Sequence, residues 1–501
     1  MCSHLRESCR RYFRRPRCLH AAVFVYFVCT GGRFTAPFLE NVAHFSDTAN
    51  GLTLAAQMSL GALLGPLAGA VADAAERRAH KHNKRKHWGR GLVMTLGVSV
   101  GTVAFILHGV VASVCAAESR WSCPPATATV LHVGLRLLFA AGNAFVYPVL
   151  NGITLAYLDD EGCPPSQYGR ERLYGAVSWA MTSVAVGRTI DGCGFAILPF
   201  GYAPLGYVFY VASIVAFVAS HEESAAFADV ASKGEPVATN NGGGNQEDDF
   251  QDELFRDDDS VEEAAGEDQN DAETESRQRH QSTSLLRMLA VVCGTVYGAG
   301  FVASMVTLSM GMSIVESLIF LFFEELGGTY TVMGLTVVVT VVFEIPVFHF
   351  APALLDKFGP GRLQQAAAIA YLVRVVGYTL IPEGAMAWVL LLEPLHGVTY
   401  GAAATSNVEY MARLSPKGYE ATSQGLMSGL RGVGSIAGLS LGGWIDDAYG
   451  AKAMYRLYAT IVAIGLGIFL FTDRRQRYRR VSDDEGEESS KDAAEVELSV
   501  S

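Results

Sequence analysis

"GAVADAAERR", residues 69–78, ends an apolar run with an aspartate and two arginines, and "PALLDKFGPGR", residues 352–362, ends another run in the same manner. Each puts an aspartate, Asp73 or Asp356, where a helix leaves apolar surroundings, with basic residues after it. A second echo joins "GRTID" (187–191) to "GGWID" (442–446). Runs of roughly 18–25 residues, enough to cross a hydrocarbon core of about 30 Å, recur along the whole chain. The sequence predicts helices near 20–44, 50–72, 91–114, 128–157, 170–191, 203–220, 286–323, 331–355, 363–382, 386–412, 420–445 and 452–472. The first echo ends the second and eighth runs, and the other ends the fifth and eleventh. Matching features thus lie six runs apart. That spacing predicts an all-α membrane protein of twelve spans, built as two six-helix halves around a central cavity. The seventh run is too long for one straight span, and Ser309 to Met312 is expected to mark a kink or a change from an interfacial turn to the span.

Composition agrees with a membrane chain: half of the 501 residues are hydrophobic, and the mean hydropathy of +0.24 exceeds that of soluble domains of this length. Lys and Arg are placed asymmetrically. Arg10, Arg11, Arg14, Arg15 and Arg17 precede the first span, seven basic residues between Arg77 and Arg90 follow the second, and "RRQRYRR" follows the twelfth. The alternate loops "ENVAHFSDTAN" (40–50) and "EELGGTY" (324–330) have none. By the positive-inside rule both termini are cytoplasmic, in a plasma or organelle membrane. The net charge of −12 comes from acidic segments at 221–284 and in the tail, which are expected to be disordered and cytoplasmic. The expected organisation is a basic N-terminus (1–19), a first half (20–220), the acidic loop (221–284), a second half (285–473) and a tail (474–501). Ser260 and Ser482 precede acidic residues as kinase sites do, although a solvated charge run is the simpler account. The nine cysteines have no zinc or redox spacing; Cys115 and Cys123 flank a short loop and can form a disulfide if it faces an oxidising compartment.

Several stretches carry a family resemblance. "GAVADAAERR" resembles the loop signature of the major facilitator superfamily, with Gly69, Asp73, Arg77 and Arg78 in register and Ala74 and Glu76 where a basic residue and a glycine are usual. "YGRERLYGAVSWAMTSVAVG" (168–187), "FFEELGGTYTVMGLTVVVTVVFEIPVFHFAP" (322–352), "LVRVVG" (372–377), "LLEPLHGV" (391–398) and "LSPKGYEATSQGLMSGLRGVGSIAGLSLGGWIDDAYG" (414–450) resemble the major facilitator superfamily domain-containing protein 6 group. More distantly they are similar to lactose permease and other oligosaccharide–proton symporters. The resemblance covers both halves and implies secondary active transport by alternating access.

Charges inside the apolar runs carry the chemistry. Glu316, Glu344, Arg374, Glu393, His396 and Arg431 fall within spans seven to eleven, most of them roughly 10–20 Å from a helix end at about 1.5 Å per residue. Each costs roughly 2.5–3.5 kcal/mol on insertion scales, so they are expected to face inward and pair, Glu316 with Arg431. Glu393 and His396, at i and i+3, are expected to share a helix face. Carboxylates in such sites bind protons readily and histidine titrates near neutrality, which makes a relay of Glu344, Arg374, Glu393 and His396 the functional reading. A static cluster holding helices in register is the bland one. The symporters use an arginine on span nine, a histidine and glutamate on ten and a glutamate on eight to couple protons, so the resemblance implies the relay. Here the span-ten order is reversed, Glu344 lies about one turn away, and Arg431 stands in a lysine-like place.

In the first half, Arg172 and Trp179 lie seven apart on one face, and the resemblance implies that they bind solute. Asn151 on span four is expected opposite them, where galactoside symporters carry a glutamate. A snorkelling arginine and a packing tryptophan are the alternative. Arg33 and Arg136 are further candidates with weaker claims, Arg33 either as a partner of Glu40 or simply near the outer interface. The glycines Gly61, Gly65 and Gly69, and Gly429 to Gly442, are read as helix contact faces. The expected partners are a small-molecule solute, protons and the bilayer, with no nucleic acid, cofactor or metal. A non-transporting receptor or scaffold of the same fold is the competing function, but the short outer loops argue against it. Metalloprotease, nucleophile-elbow and nucleotide-loop motifs are absent, which argues against an enzyme or an ATP-driven pump.

Overall fold

The computed structural model describes residues 15–82, 85–115, 123–163, 168–232, 289–290, 292–414 and 420–500. These form helices, with no strand among the described residues. Span one is Arg17–Cys29 and Thr35–Ala43, joined through Gly32–Phe34; span two is Asp47–Lys81, span three Trp88–Cys115, and span four Pro125–Asn143 with Val146–Asp160. Spans five and six are Tyr168–Cys193 and Ala203–Ser232. In the second half, span seven is Val296–Ser317 with Ile319–Glu325, and span eight is Tyr330–His349. Helix Ala351–Leu380 is broken at Gly359, whose φ of 72° favours glycine, and span nine is its part from Pro360 onward. Span ten is Met386–Leu391 with Pro394–Leu414, span eleven Glu420–Tyr449, and span twelve the first half of Ala451–Val500.

Span six runs on to Ser232 and the last helix to Val500, so parts of both acidic segments expected to be disordered are helical. Their Glu, Ala and Lys content suits a helix as well as it suits solvent. Ser260 lies outside the described residues.

Capping and glycine chemistry set the boundaries. Ser46, Thr295 and Thr329 each accept a hydrogen bond from a backbone N–H three residues on, starting spans two, seven and eight. Inside the bundle, four spans are interrupted: one at Gly31 and Gly32, four at Ala144 and Phe145, seven at Leu318, and ten at Leu392 and Glu393. These are the first and fourth spans of each half. The expected kink at Ser309 to Met312 is not there; helix Val296–Ser317 passes straight through it. Ser309 bonds back to the Met305 carbonyl at 2.8 Å, within the helix. The break about two turns later, at Leu318, leaves Glu316 near its edge.

Exposed apolar stripes at three- and four-residue spacing run along span three (Leu92, Leu96, Val100, Val103, Leu107), span nine (Ile369, Val373, Val376, Leu380) and span twelve (Leu457, Ile464, Ile468, Phe471). They form the lipid-facing surface of an integral multi-pass membrane protein. Among the described residues, seven helical stretches are long and apolar enough to cross a membrane alone, or eight with span two, which bends by 41° around Pro66. Spans five, nine, ten and eleven fall short of that test, and they hold Arg172, Arg374, Glu393, His396 and Arg431.

The halves meet through spans two and eleven, and five and eight. A Cβ on Gly187 would strike the Tyr330 carbonyl, and one on Gly443 would strike the Asp47 carbonyl. Beside each glycine a carboxylate caps the facing helix. Asp191 accepts from the backbone N–H groups of Tyr330 (2.8 Å) and Thr331 (2.9 Å). Asp447 accepts from those of Asp47 (3.1 Å) and Thr48 (2.8 Å). The internal repeat is thus Gly187 with Asp191 against Gly443 with Asp447, one residue later than the alignment on Asp446. These contacts lie on the face opposite the chain termini.

Other glycines behave differently from expectation. Gly434, Gly438 and Gly442 do pack, against Val306, Met310 and Ile314 of span seven. Gly61, Gly65, Gly69, Gly429 and Gly432 have no atom within 4 Å of where a Cβ would sit. They border open space. On the terminal face Asp73 pairs with Arg90 of span three at 2.9 Å, whereas Arg77, Arg78 and Asp356 are exposed.

Candidate functional site

A cavity of about 410 Å³ lies between the halves. Span one contributes Phe24 and Arg33, span four Tyr147, and span five Arg172 and Trp179. Facing them are Glu316 of span seven, Thr340 and Glu344 of span eight, and His396 and Tyr400 of span ten. The Gly31–Gly32 break turns Arg33 inward, since both glycines hold positive φ (111° and 50°) that a side chain rarely adopts. Glycines also bring span ten against span eight: a Cβ on Gly397 would meet the Glu344 backbone, and one on Gly401 would meet Val347.

Arg172, Trp179, Glu344 and His396, singled out in the sequence, therefore share one wall-to-wall space. Arg172 Nη2 donates to the Tyr400 hydroxyl at 3.2 Å across the two halves. Trp179 lies under the Arg33 guanidinium at 5.6 Å and beside Phe24 at 6.0 Å. Asn151 is not part of the wall. It is exposed, and Tyr147, one turn earlier, takes the span-four position.

The charged network differs from the expected set of ion pairs. Among the described residues, no ion pair within 4 Å joins Arg33, Arg374 or Arg431 to Glu316, Glu344 or Glu393. Glu393 sits in the turn before helix Pro394–Leu414, so it and His396 do not share a helix face. Its carboxylate accepts from the Thr340 hydroxyl at 2.8 Å and from the Tyr378 hydroxyl. Two hydroxyl donors thus hold it without a cation. Neither Thr340 nor Tyr378 stood out in the sequence, because hydroxyls on apolar helices usually bond to their own backbone.

His396 touches two arginines: Arg33 Nη2 lies 2.9 Å from its Nε2, and Arg374 contacts its Nδ1. Arginine only donates, and a neutral imidazole has one acceptor nitrogen, so His396 can accept from one arginine at a time. Arg33 therefore pairs across the halves with His396 instead of with Glu40. Arg374 is fully buried, stacked 5.3 Å from the Tyr378 ring, with Nε and Nη2 unbonded. Glu316 and Arg431 both line a separate cavity of about 40 Å³.

Cys115 and Cys123 form a disulfide at the end of span three. No group of three or more metal-ligating side chains occurs among the described residues.

Residues 17–457 match the MFS_1 like family. The chain is similar to the maltose permease of Geobacillus stearothermophilus, 23% identical over 351 residues that cover 69% of this chain and 73% of the permease. A shorter match, 24% over 159 residues, covers 31% of the chain and 39% of the uncharacterized transporter YwbF of Bacillus subtilis (strain 168). Among solved structures, the nucleoside transporter NupG shares the fold with a TM-score of 0.57 at 12% identity, covering 93% of this chain and 98% of NupG. A bacterial homologue of the iron transporter ferroportin in an inward-facing state gives 0.58 at 13% identity, over 91% and 96% of the two chains. The family match runs from span one into span twelve, and the chain therefore belongs to the MFS_1 like family of major facilitator superfamily transporters.

Proposed function

We propose that the protein is a proton-coupled symporter of a small polar solute, carbohydrate-like, nucleoside or organic acid. One observation carries this reading: Arg172 and Trp179 of the first half face Glu316 and Glu344 of the second across a single cavity. A carboxylate that opens on the solute space binds a proton in one state and meets an arginine in another. Glu344 is that group, and Arg374, Glu393 and His396 complete the relay behind it. Because His396 can satisfy only one arginine, movement of span one toward or away from span ten exchanges Arg33 for Arg374 at the imidazole. Binding of solute at Arg172 and Trp179 is thereby tied to the protonation of Glu344 through alternating access. The similarity to a maltose permease supports a polar solute.

The test is uptake by purified protein in liposomes, screened over sugars, nucleosides and organic acids with an imposed pH gradient. Accumulation driven by the gradient is expected for one of these classes; equilibration indifferent to the gradient would remove the proton. The same proposal has both termini and the 221–284 segment on the cytoplasmic side. Impermeant labelling of single cysteines in right-side-out vesicles should mark 45–49 and spare 240–270, and the opposite pattern would overturn the orientation.

A further inference from the structure

A second cavity, of about 430 Å³, lies inside the first half between spans one, two and four. Its polar side chains include Arg136 and Asn143 of span four, Gln57 of span two and Thr35 of span one. Arg136 is 4% exposed. Its Nε donates to Gln57 Oε1 at 2.8 Å, its Nη2 donates to Thr35 Oγ1 at 3.2 Å, and the guanidinium lies 4.4 Å from the Phe139 ring centre. All three partners are neutral, and no carboxylate pairs with it among the described residues. At about 1.5 Å per residue, Arg136 lies about 17 Å into helix Pro125–Asn143, near the middle of a hydrocarbon core of about 30 Å. A cation at that depth with no counter-charge is costly unless an anion joins it.

Asn143 and two glycines border the same space. Asn143 Nδ2 donates to the Phe139 carbonyl at 2.9 Å, which fixes the amide orientation and leaves Oδ1 buried without a partner. Gly61 and Gly65 border the cavity, and no atom lies within 4 Å of where their Cβ atoms would be. The cavity shares Gly32 and Tyr147 with the central one, and the stacked rings of Phe27 and Tyr147, 5.1 Å apart and 3° from parallel, stand at the boundary.

We infer that this cavity is a solute subsite in which Arg136 binds the carboxylate of an organic monoacid. The inference rests on the transport reading and narrows its solute class. Gln57 and Thr35 hold the guanidinium in place, and its remaining N–H groups are available to a carboxylate. One cation matches one negative charge, which favours a monocarboxylate over a phosphate. The depth disfavours a lipid headgroup.

Thermal unfolding of the purified full chain tests this without a gradient or transport, so its failure is separable from failure of the symport reading. The probes are mandelate, its neutral amide mandelamide, and inorganic phosphate. Mandelate at saturation should raise Tm by about 3 °C or more, and the other two by much less. Arg136→Met should abolish that shift and raise the Tm of the ligand-free protein, since an unmatched charge is removed. The inference is overturned if mandelamide or phosphate matches mandelate, if mandelate gives no shift, if the shift survives Arg136→Met, or if the ligand-free variant is less stable. Competition of mandelate by anionic lipid in nanodiscs would assign the site to lipid and overturn it equally.

Discussion

Asp191 and Asp447 each cap a helix of the other half on the face opposite the termini, and removing both caps should open that face. Each carboxylate accepts from two backbone N–H groups at distances between 2.8 and 3.1 Å. Loss of a cap to alanine costs about 1 kcal/mol, within a range of roughly 0.5–2. Because the caps exist only while the halves touch, that cost falls on the closed state alone. One substitution should therefore favour opening about 5-fold, and two, at about 2 kcal/mol, about 30-fold. The assay is alkylation of a cysteine placed in the central cavity by Ala176→Cys, in a chain whose free cysteines are replaced, with an impermeant maleimide added on the opposite face. While the open state is minor, the labelling rate follows its population. Asp191→Ala with Asp447→Ala should label about 30-fold faster than the parent. An unchanged rate in the double variant would refute the idea that these carboxylates hold the face shut. Acceleration by only one of them would confine the latch to one helix pair.

Other outcomes follow from the central site. Glu344→Gln or Glu393→Gln should abolish accumulation against a gradient while sparing solute exchange; pH-driven concentration in both variants would put the relay elsewhere. Glu316 and Arg431 face one small cavity without touching, so a double-mutant cycle of Glu316→Gln and Arg431→Gln should show a coupling of about 1 kcal/mol, and strict additivity would mean they do not interact. Arg172→Lys should weaken solute affinity roughly tenfold or more, because the planar fork is lost, and lactose-type sugars should bind poorly. Tight galactoside binding, or unchanged affinity in the lysine variant, would remove Arg172 from the solute site.

The twelve spans and the polar seam were legible because length, apolarity and charge depth are one-dimensional quantities. Glu344 and His396 could be named from depth and residue type, Arg172 and Trp179 from the family resemblance, and all four line the cavity. What was not legible depends on direction. A glycine looks the same whether it admits a helix, as Gly438 does, or borders space, as Gly61 does. The Arg33–His396 contact joins residues 363 positions apart in different halves, and no local pattern foretells it. Asn151 was assigned by analogy of position, and a helix interruption at Ala144 and Phe145 separates that analogy from the geometry. The break in span seven fell at Leu318 because serines can bend a helix or bond back into it, and here Ser309 bonds back.

The four interrupted spans have a mechanical consequence. A continuous helix is a stiff lever, and pushing one end of it moves the other. Spans one, four, seven and ten are jointed struts instead, with Arg33, Asn143, Glu316 and Glu393 set at or beside the joints. A jointed strut carries load along its length but transmits little torque. Each half thus combines rigid outer posts, such as spans three and nine, with inner members whose two ends can swing separately. Contacts made at a joint then bear on the angle between its two segments more than on the far end of the strut.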